Sequence, residues 1–313
     1  MFEAIIFNPY LIFIIGGTFL YFGSELLIDN SINIANKFNL SKIFIGSTIV
    51  ALGTSLPEIV VSIFANLNGS TNIAIGNIVG SNIANISLVL GIFLLFKNIY
   101  LGKTYKIRFH LLFLLLLTVI FYFLLMNGFI SLYYGSILIF LFIIYIIFSV
   151  NFFDDEELKV DTVDSKFPVL KIIIGMILIY FGSSLFIDGA IGIALRIGVS
   201  DLVIGMTVVA LGTSAPELIV SINSILKNEI DVSIGNIIGS NIANIVFAVG
   251  LSSILKTMYF NYNDLVFYNN YMILLTSLLV ISLLVFKKMN KNFGLLFISI
   301  YFVFIYLNFY ISN

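Results

Sequence analysis

The 313-residue sequence predicts an all-α polytopic membrane protein, with about ten transmembrane helices in two inverted-topology five-helix repeats. Three observations predict it. Hydrophobic residues make up 60% of the chain and charged residues only 10%, where a soluble domain carries about a quarter charged. Apolar runs of roughly 18 residues or more recur along nearly the whole length, as membrane-spanning helices require. Finally, residues 46–91 align with 205–250 without a gap, at a constant offset of 159 and with 26 of 46 positions identical.

A helix needs roughly 20 apolar residues to cross a bilayer, and spans fall near 9–36, 41–66, 71–96, 108–126, 130–152, 168–196, 201–226, 231–256, 264–286 and 291–311. The N-terminus, MFEAIIFNPYL, has no Lys or Arg ahead of its apolar stretch. It does not read as a cleavable signal peptide, so the first span is expected to be retained. The one soluble-looking stretch is 153–167, FDDEELKVDTVDSKF, a solvated acidic linker too short to form a domain. It separates a first five-helix repeat at 1–152 from a second, inverted one at 168–313.

Lys and Arg set the orientation, because cationic short loops resist translocation. With the N-terminus outside, the cytoplasmic loops hold Lys37, Lys42, Lys97, Lys103, Lys106, Arg108, Lys159, Lys166, Lys171, Lys227, Lys287, Lys288 and Lys291. Only Arg196 and Lys256 of the 15 basic residues then fall outside. Removing one helix would scramble that split, so it supports ten spans, a cytoplasmic linker and both termini outside.

The same offset pairs YFGSELLID at 21–29 with YFGSSLFID at 180–188. Five is odd, so the second half enters the membrane upside down. Inverted repeats occur in secondary transporters, with the substrate site near the midplane between the halves.

Within the aligned segments, ALGTSLPE at 51–58 returns as ALGTSAPE at 210–217. Pro57 has no N–H and its ring clashes with the carbonyl four residues back. Carbonyls around Ala51 to Gly53 are therefore expected to lose helical partners, which lipid tolerates only where something else, such as a desolvated cation, satisfies them. Thr54 and Glu58 are four apart and expected on one helix face. Gly212, Thr213, Pro216 and Glu217 repeat the arrangement.

The following spans carry IGNIVGSNIAN at 75–85 and IGNIIGSNIAN at 234–244. Asn77, Ser81 and Asn85 make a nearly straight polar stripe, matched by Asn236, Ser240 and Asn244. Gly76 with Gly80, and Gly235 with Gly239, form GxxxG pairs expected to pack helices closely, and Asn77 and Asn236 read as interhelical hydrogen-bonding residues. A Glu near the bilayer centre costs about 2.5 kcal/mol or more, so Glu58 and Glu217 read as ligands. Carboxylate, hydroxyl, amide and carbonyl are hard oxygen donors that suit Ca²⁺ and alkali ions, whereas transition metals call for His or Cys. One Ca²⁺, or several Na⁺, would neutralise two carboxylates.

At this point the motifs carry a resemblance. GTSLPE with GSNIAN, and GTSAPE with GSNIAN, resemble the α-repeats of the cation/calcium exchanger superfamily, most of all its prokaryotic sodium/calcium exchanger branch. The resemblance implies electrogenic antiport of Na⁺ against Ca²⁺, through a diamond of ion sites built from spans two, three, seven and eight. It implies ligands from Ala51 (carbonyl), Thr54, Ser55, Glu58, Ser81 and Asn85 in the first half. Their counterparts are Ala210 (carbonyl), Thr213, Ser214, Glu217, Ser240 and Asn244. It also implies that spans one and six slide as a long tilted pair against the remaining bundle. Some relatives carry Asp at the position of Asn244. Asn is nearly isosteric with a neutral Asp, so transport is expected to survive, with weaker proton competition and no K⁺ requirement.

Proton- or K⁺-coupled cation exchange and, further off, a cation channel remain open alternatives. An intramembrane enzyme is disfavoured by the lack of HExxH and of any nucleophile–base pair. With no cysteine there are no disulfides or thiolate metal sites. The net charge of −1 and the lack of a basic run give no sign of nucleic acid as a partner. The expected partners are the bilayer and the transported Na⁺ and Ca²⁺, with no cofactor and no obligate protein partner. The single histidine, His110, reads as an interfacial residue at a cytoplasmic helix end. Glu25, Asp29 and Asp188, in spans one and six, read as hydrated carboxylates near helix ends, with a role in ion access as the sharper alternative. Abundant Ile, Asn, Phe and Lys point to a prokaryotic cell membrane.

Overall fold

The computed structural model describes residues 8–100, 105–151, 166–198 and 210–312. Helix α1 (Pro9–Phe38) starts where the Asn8 side chain accepts from the Tyr10 N–H at 3.1 Å, with Pro9 in the first turn. It ends at Asn39 in the left-handed conformation, φ 53°. The second span is broken into α2 (Lys42–Ile45), a π-helical turn Gly46–Val50, α3 (Ala51–Thr54) and α4 (Leu56–Leu67). The axis bends by 51° at the break. The third span runs through α5 (Thr71–Ala84), a π turn Asn85–Val89 and α6 (Leu90–Phe96). Then follow α7 (Tyr105–Met126) and α8 (Leu132–Asn151).

The second half opens with α9 (Pro168–Arg196) and is next described at α10 (Ala210–Thr213) and α11 (Ala215–Leu226). After them come α12 (Ile230–Ala243), a π turn Asn244–Val249, α13 (Gly250–Leu255), α14 (Tyr262–Phe286) and α15 (Lys291–Ser312). Among the described residues, eight helices are long and apolar enough to cross a membrane, or nine with the bent second span. The predicted seventh span lies partly outside the described residues, and so does nearly all of the acidic linker.

Four two-residue strands establish the inversion. Strand β1 (Ile99–Tyr100) pairs antiparallel with β4 (Lys288–Met289), and β2 (Phe129–Ile130) with β3 (Met258–Tyr259). Moving β1 forward by the repeat offset of 159 lands on β3, and β2 lands on β4. The 22 residues of α7 lie between β1 and β2. At 1.5 Å per residue that is about 33 Å, so the two sheets sit at opposite ends of the bundle. Each strand is thus at the other end from its repeat mate. The chain is an all-α membrane protein of two inverted five-helix repeats. The β1–β4 end, where α8 runs into the linker, is called here the linker end.

The apolar interior has two parts. The larger joins residues of α4 to α8 with those of α11 to α15, including Phe93, Phe121, Tyr145 and Phe297. The smaller joins Leu20, Leu27 and Ile28 of α1 to Ile172 and Ile179 of α9, against the first part of span two. Lipid is as apolar as leucine, so close packing rather than burial holds such helices together. Helices α1 and α9 meet at their glycines. A Cβ added to Gly23 would lie 2.9 Å from the Gly175 carbonyl oxygen, and one added to Gly175 would lie 2.9 Å from that of Gly23.

Candidate functional site

The break in span two positions the first group of polar side chains. Ser55 sits between α3 and α4 at φ −84°, ψ 3°, and its counterpart Ser214 sits between α10 and α11 at φ −91°, ψ 9°. These values lie in the sparsely populated bridge region that many active-site residues occupy. Pro57 and Pro216 start the helices that follow. The expectation for the freed carbonyls needs correction at one residue. The Ala51 carbonyl keeps its bond from the Ser55 N–H at 3.0 Å and also accepts the Thr54 hydroxyl at 3.1 Å. Proline removes the N–H four residues after Gly53, so Gly53 is the residue whose carbonyl loses its donor.

Glu58 and Glu217 are buried, 1% and 0% exposed, and lie within electrostatic reach of each other. Their surroundings are exchanged between the halves. Ser55 donates to a Glu217 oxygen at 3.1 Å, and the hydroxyls of Thr54 and Ser240 also lie against that carboxylate. Thr54 reaches across to Asn236 Oδ1 and to the Ser240 hydroxyl, both at 3.1 Å. Ser81 stands beside Glu58. The predicted face shared by Thr54 and Glu58 is thereby opened at the break, and Thr54 serves the opposite carboxylate.

Asn85 and Asn244 each begin a π turn, a local widening frequent at functional sites. Several orphan polar atoms belong to the repeated motifs. Among the described residues, both Glu58 carboxylate oxygens, Ser81 Oγ, both amide atoms of Asn85, Ser214 Oγ, Glu217 Oε2 and Asn244 Oδ1 are buried with no hydrogen-bond partner. Buried polar groups are ordinarily paired, and each exception needs a reason. Here seven oxygens and one amide nitrogen come from residues of both repeats. A cation is the group the seven oxygens fit. Among the described residues no cluster of three or more His, Cys, Asp and Glu is present, so the donors are two carboxylates supplemented by hydroxyls and amides.

Two asparagines escaped the sequence reading. Asn244 Nδ2 donates to Asn82 Oδ1 at 3.1 Å, and Asn82 Nδ2 donates to the Asn241 carbonyl at 3.4 Å. Both are the first Asn of GSNIAN, one residue off the polar stripe, and their presence in both copies was the available signal. Asn77 and Asn236 are interhelical, as expected. Asn77 Nδ2 donates to the Glu58 carbonyl at 3.2 Å and to Ser62 Oγ at 3.0 Å, and Asn236 Nδ2 donates to Ser221 Oγ at 3.3 Å.

Two cavities reach this centre, each lined by residues of both halves. One of about 190 Å³ is lined by Glu58, Asn77, Thr213, Ser183, Ser184 and Asp188, among others. A second of about 680 Å³ is lined by Gly76, Asn77, Gly80, Ser81, Thr213 and Asp264, with Tyr268, Tyr301 and Asn308. Among the described residues nothing lies within 4 Å of a Cβ added to Gly76 or Gly80, and both line the larger cavity. Gly235 and Gly239 pack closely, against Ile43 to Ser47. The repeat equivalents of Ile43 to Ser47 are residues 202–206, so the expectation of close packing for the first pair falls outside the described residues.

At the linker end the corresponding route is filled. Lys227 pairs with Asp29 at 2.6 Å and lies 3.6 Å from Glu25, Lys42 pairs with Glu229 at 2.7 Å, and Asn223 donates to Ser24 Oγ at 2.7 Å. His110 is also corrected. It is fully buried, its Nδ1 lies 2.7 Å from the Tyr145 hydroxyl, and Tyr145 donates to Ser47 Oγ at 2.7 Å. A partner 35 residues away draws the ring inward.

The sodium/calcium exchanger protein family matches residues 8–151 and 167–310. An uncharacterized membrane protein of Methanocaldococcus jannaschii is 37% identical over 299 residues, covering 93% of this chain and 95% of that one. The sodium/calcium exchanger MaX1 of Methanosarcina acetivorans is 28% identical, covering 96% of this chain and 99% of its own. A solved structure of the sodium-calcium exchanger NCX_Mj, soaked with Na⁺ and Sr²⁺, superposes with a TM-score of 0.80 at 35% identity, over 96% of this chain and 98% of that one.

Proposed function

The chain belongs to the sodium/calcium exchanger protein family, and from that premise we propose that it is a secondary active antiporter exchanging Na⁺ for Ca²⁺ by alternating access. One observation carries the reading: seven buried oxygen atoms of Glu58, Ser81, Asn85, Ser214, Glu217 and Asn244, from the motifs of both repeats, have no hydrogen-bond partner among the described residues. Ca²⁺ takes six to eight oxygens and its two charges match the two carboxylates. The proposed ligand set is Ala51, Thr54, Ser55, Glu58, Ser81 and Asn85 with Ala210, Thr213, Ser214, Glu217, Ser240 and Asn244. Several Na⁺ ions fill the same donors in turn. NCX_Mj, whose structures concern extracellular ion exchange and binding-site occlusion, supports the analogy.

The exchange follows from electrostatics. An empty site leaves two carboxylates uncompensated in low dielectric, which is costly. Loaded forms reorient, empty ones do not, and this obligatory loading couples one ion's movement to the other's. The close glycine contact of α1 with α9 joins the two helices so that they move as one pair past the remaining bundle. The distribution of Lys and Arg supports a cytoplasmic linker end and outward termini. Both cavities then open outward, and the ion pairs of Lys227 and Lys42 close the cytoplasmic side.

Radiolabelled Ca²⁺ uptake into proteoliposomes loaded with Na⁺ tests the reading. Uptake is expected to require an outward Na⁺ gradient and to persist without K⁺. Uptake indifferent to internal Na⁺ would overturn it, and currents without counter-ion coupling would favour a channel.

A further inference from the structure

The repeat makes Asp29 and Asp188 the same position, yet their surroundings differ. Asp29 is held by Lys227 at 2.6 Å. Asp188 is exposed and has no ion pair among the described residues. Nor does the sequence offer it one, since the residue equivalent to Lys227 in the first half is Asn68. Asp188 instead lines the 190 Å³ cavity whose inner wall includes Glu58. Glu58 is 1% exposed, and neither of its carboxylate oxygens has a hydrogen-bond partner. One cavity therefore joins a solvated carboxylate at its rim to a dry, unpartnered one at its base. Ser184, Asn77 and Thr213 furnish polar atoms between them.

A cation reaching the cavity from water meets Asp188 first. A carboxylate at a cleft with low-dielectric walls focuses the field and raises the local concentration of counter-ions. We propose that Asp188 is the cation-capture residue of the exchange reaction, drawing Na⁺ and Ca²⁺ to the mouth of the cavity and passing them along its polar wall to Glu58. The proposal rests on the ion-exchange reading above. Asp29, its repeat mate, does not act this way in the present arrangement because Lys227 neutralises it.

The test uses right-side-out and inverted membrane vesicles from expressing cells, loaded with Na⁺ and offered Ca²⁺. With Asp188→Asn, the KM for Ca²⁺ offered from the outer face is expected to rise about three- to ten-fold at low ionic strength. Turnover at saturating Ca²⁺ and the KM from the cytoplasmic face should stay as in the wild type. Raising the ionic strength to about 0.5 M with choline chloride should shrink the difference, because the Debye length falls well below 10 Å. Asp188→Glu should restore the KM, and Asp188→Ser should repeat the defect if the Asn variant fails to insert. An unchanged outer-face KM, or equal loss of turnover from both faces, overturns the proposal. Wild-type vesicles lacking Na⁺-dependent uptake would instead sink the exchange reading beneath it.

Discussion

Gly80 and Gly239 hold the same place in two copies of one motif and face different neighbours. A methyl group added at Gly239 would run into the backbone of Ser47, whereas one added at Gly80 would meet none of the described residues within 4 Å. The contrast extends to the residues around them. Asn236 is fully buried and bonded to Thr54, while Asn77 is only half-buried and borders both cavities. Ser240 shares a hydrogen bond with Thr54, while Ser81 has no partner. Near-identical sequence therefore sits in two surroundings among the described residues. Alternating access, as proposed above, is expected to exchange the two, closing the outward cavities and opening the linker end. The polar latch at that end has no mirror image, for Phe64, Asn68 and Ser70 stand where Asn223, Lys227 and Glu229 do.

The largest effect should ignore this asymmetry. Glu58→Gln and Glu217→Gln should each lower Na⁺-dependent Ca²⁺ uptake at least about a hundred-fold, since each removes one of two charges that balance Ca²⁺. If one variant exchanged at the wild-type rate, the two halves would not form one site. The glycines should then separate the halves. Gly239→Ala forces an overpacked contact against Ser47 costing about 1–3 kcal/mol, and Gly80→Ala, which meets none of the described residues, should cost less. Thermal unfolding in detergent reads the difference, and equal losses would break the comparison. The smallest effect concerns the latch. Lys227→Met removes partly exposed ion pairs worth about 0.2–1 kcal/mol, a population shift of at most roughly five-fold towards the opposite packing. Because the chain has no cysteine, thiol labelling of a Val61→Cys reporter beside both cavities can follow that shift. Faster rather than slower labelling in the Lys227→Met background would contradict the latch.

The membrane fold was legible because its signals are local. Long apolar runs, the skew of Lys and Arg, and an offset that holds from α1 to α15 all survive without knowing any contact. Glu58 and Glu217 were legible for the same reason, as charges where lipid penalises them. What escaped depends on partners far along the chain. Nothing near Thr54 says that it serves Glu217 from the other repeat, and nothing near His110 announces Tyr145. Gly76 and Gly80 repeat Gly235 and Gly239 letter for letter, and nothing in the motif announces that Ile43 to Ser47 cover the second pair.

The paired two-residue strands constrain how such a chain can change over generations. Each pairing joins one loop of the first half to one of the second, β1 to β4 and β2 to β3. Lengthening α7 by a turn would pull β2 out of register with β3 unless α14 grew in step, since those helices separate the strands in each half. Insertions and deletions between 99 and 130 are therefore tied to those between 258 and 289, and the two copies must keep a common length there. Neither pairing includes a linker residue, so neither fixes the linker's length, while the frame on either side must stay matched.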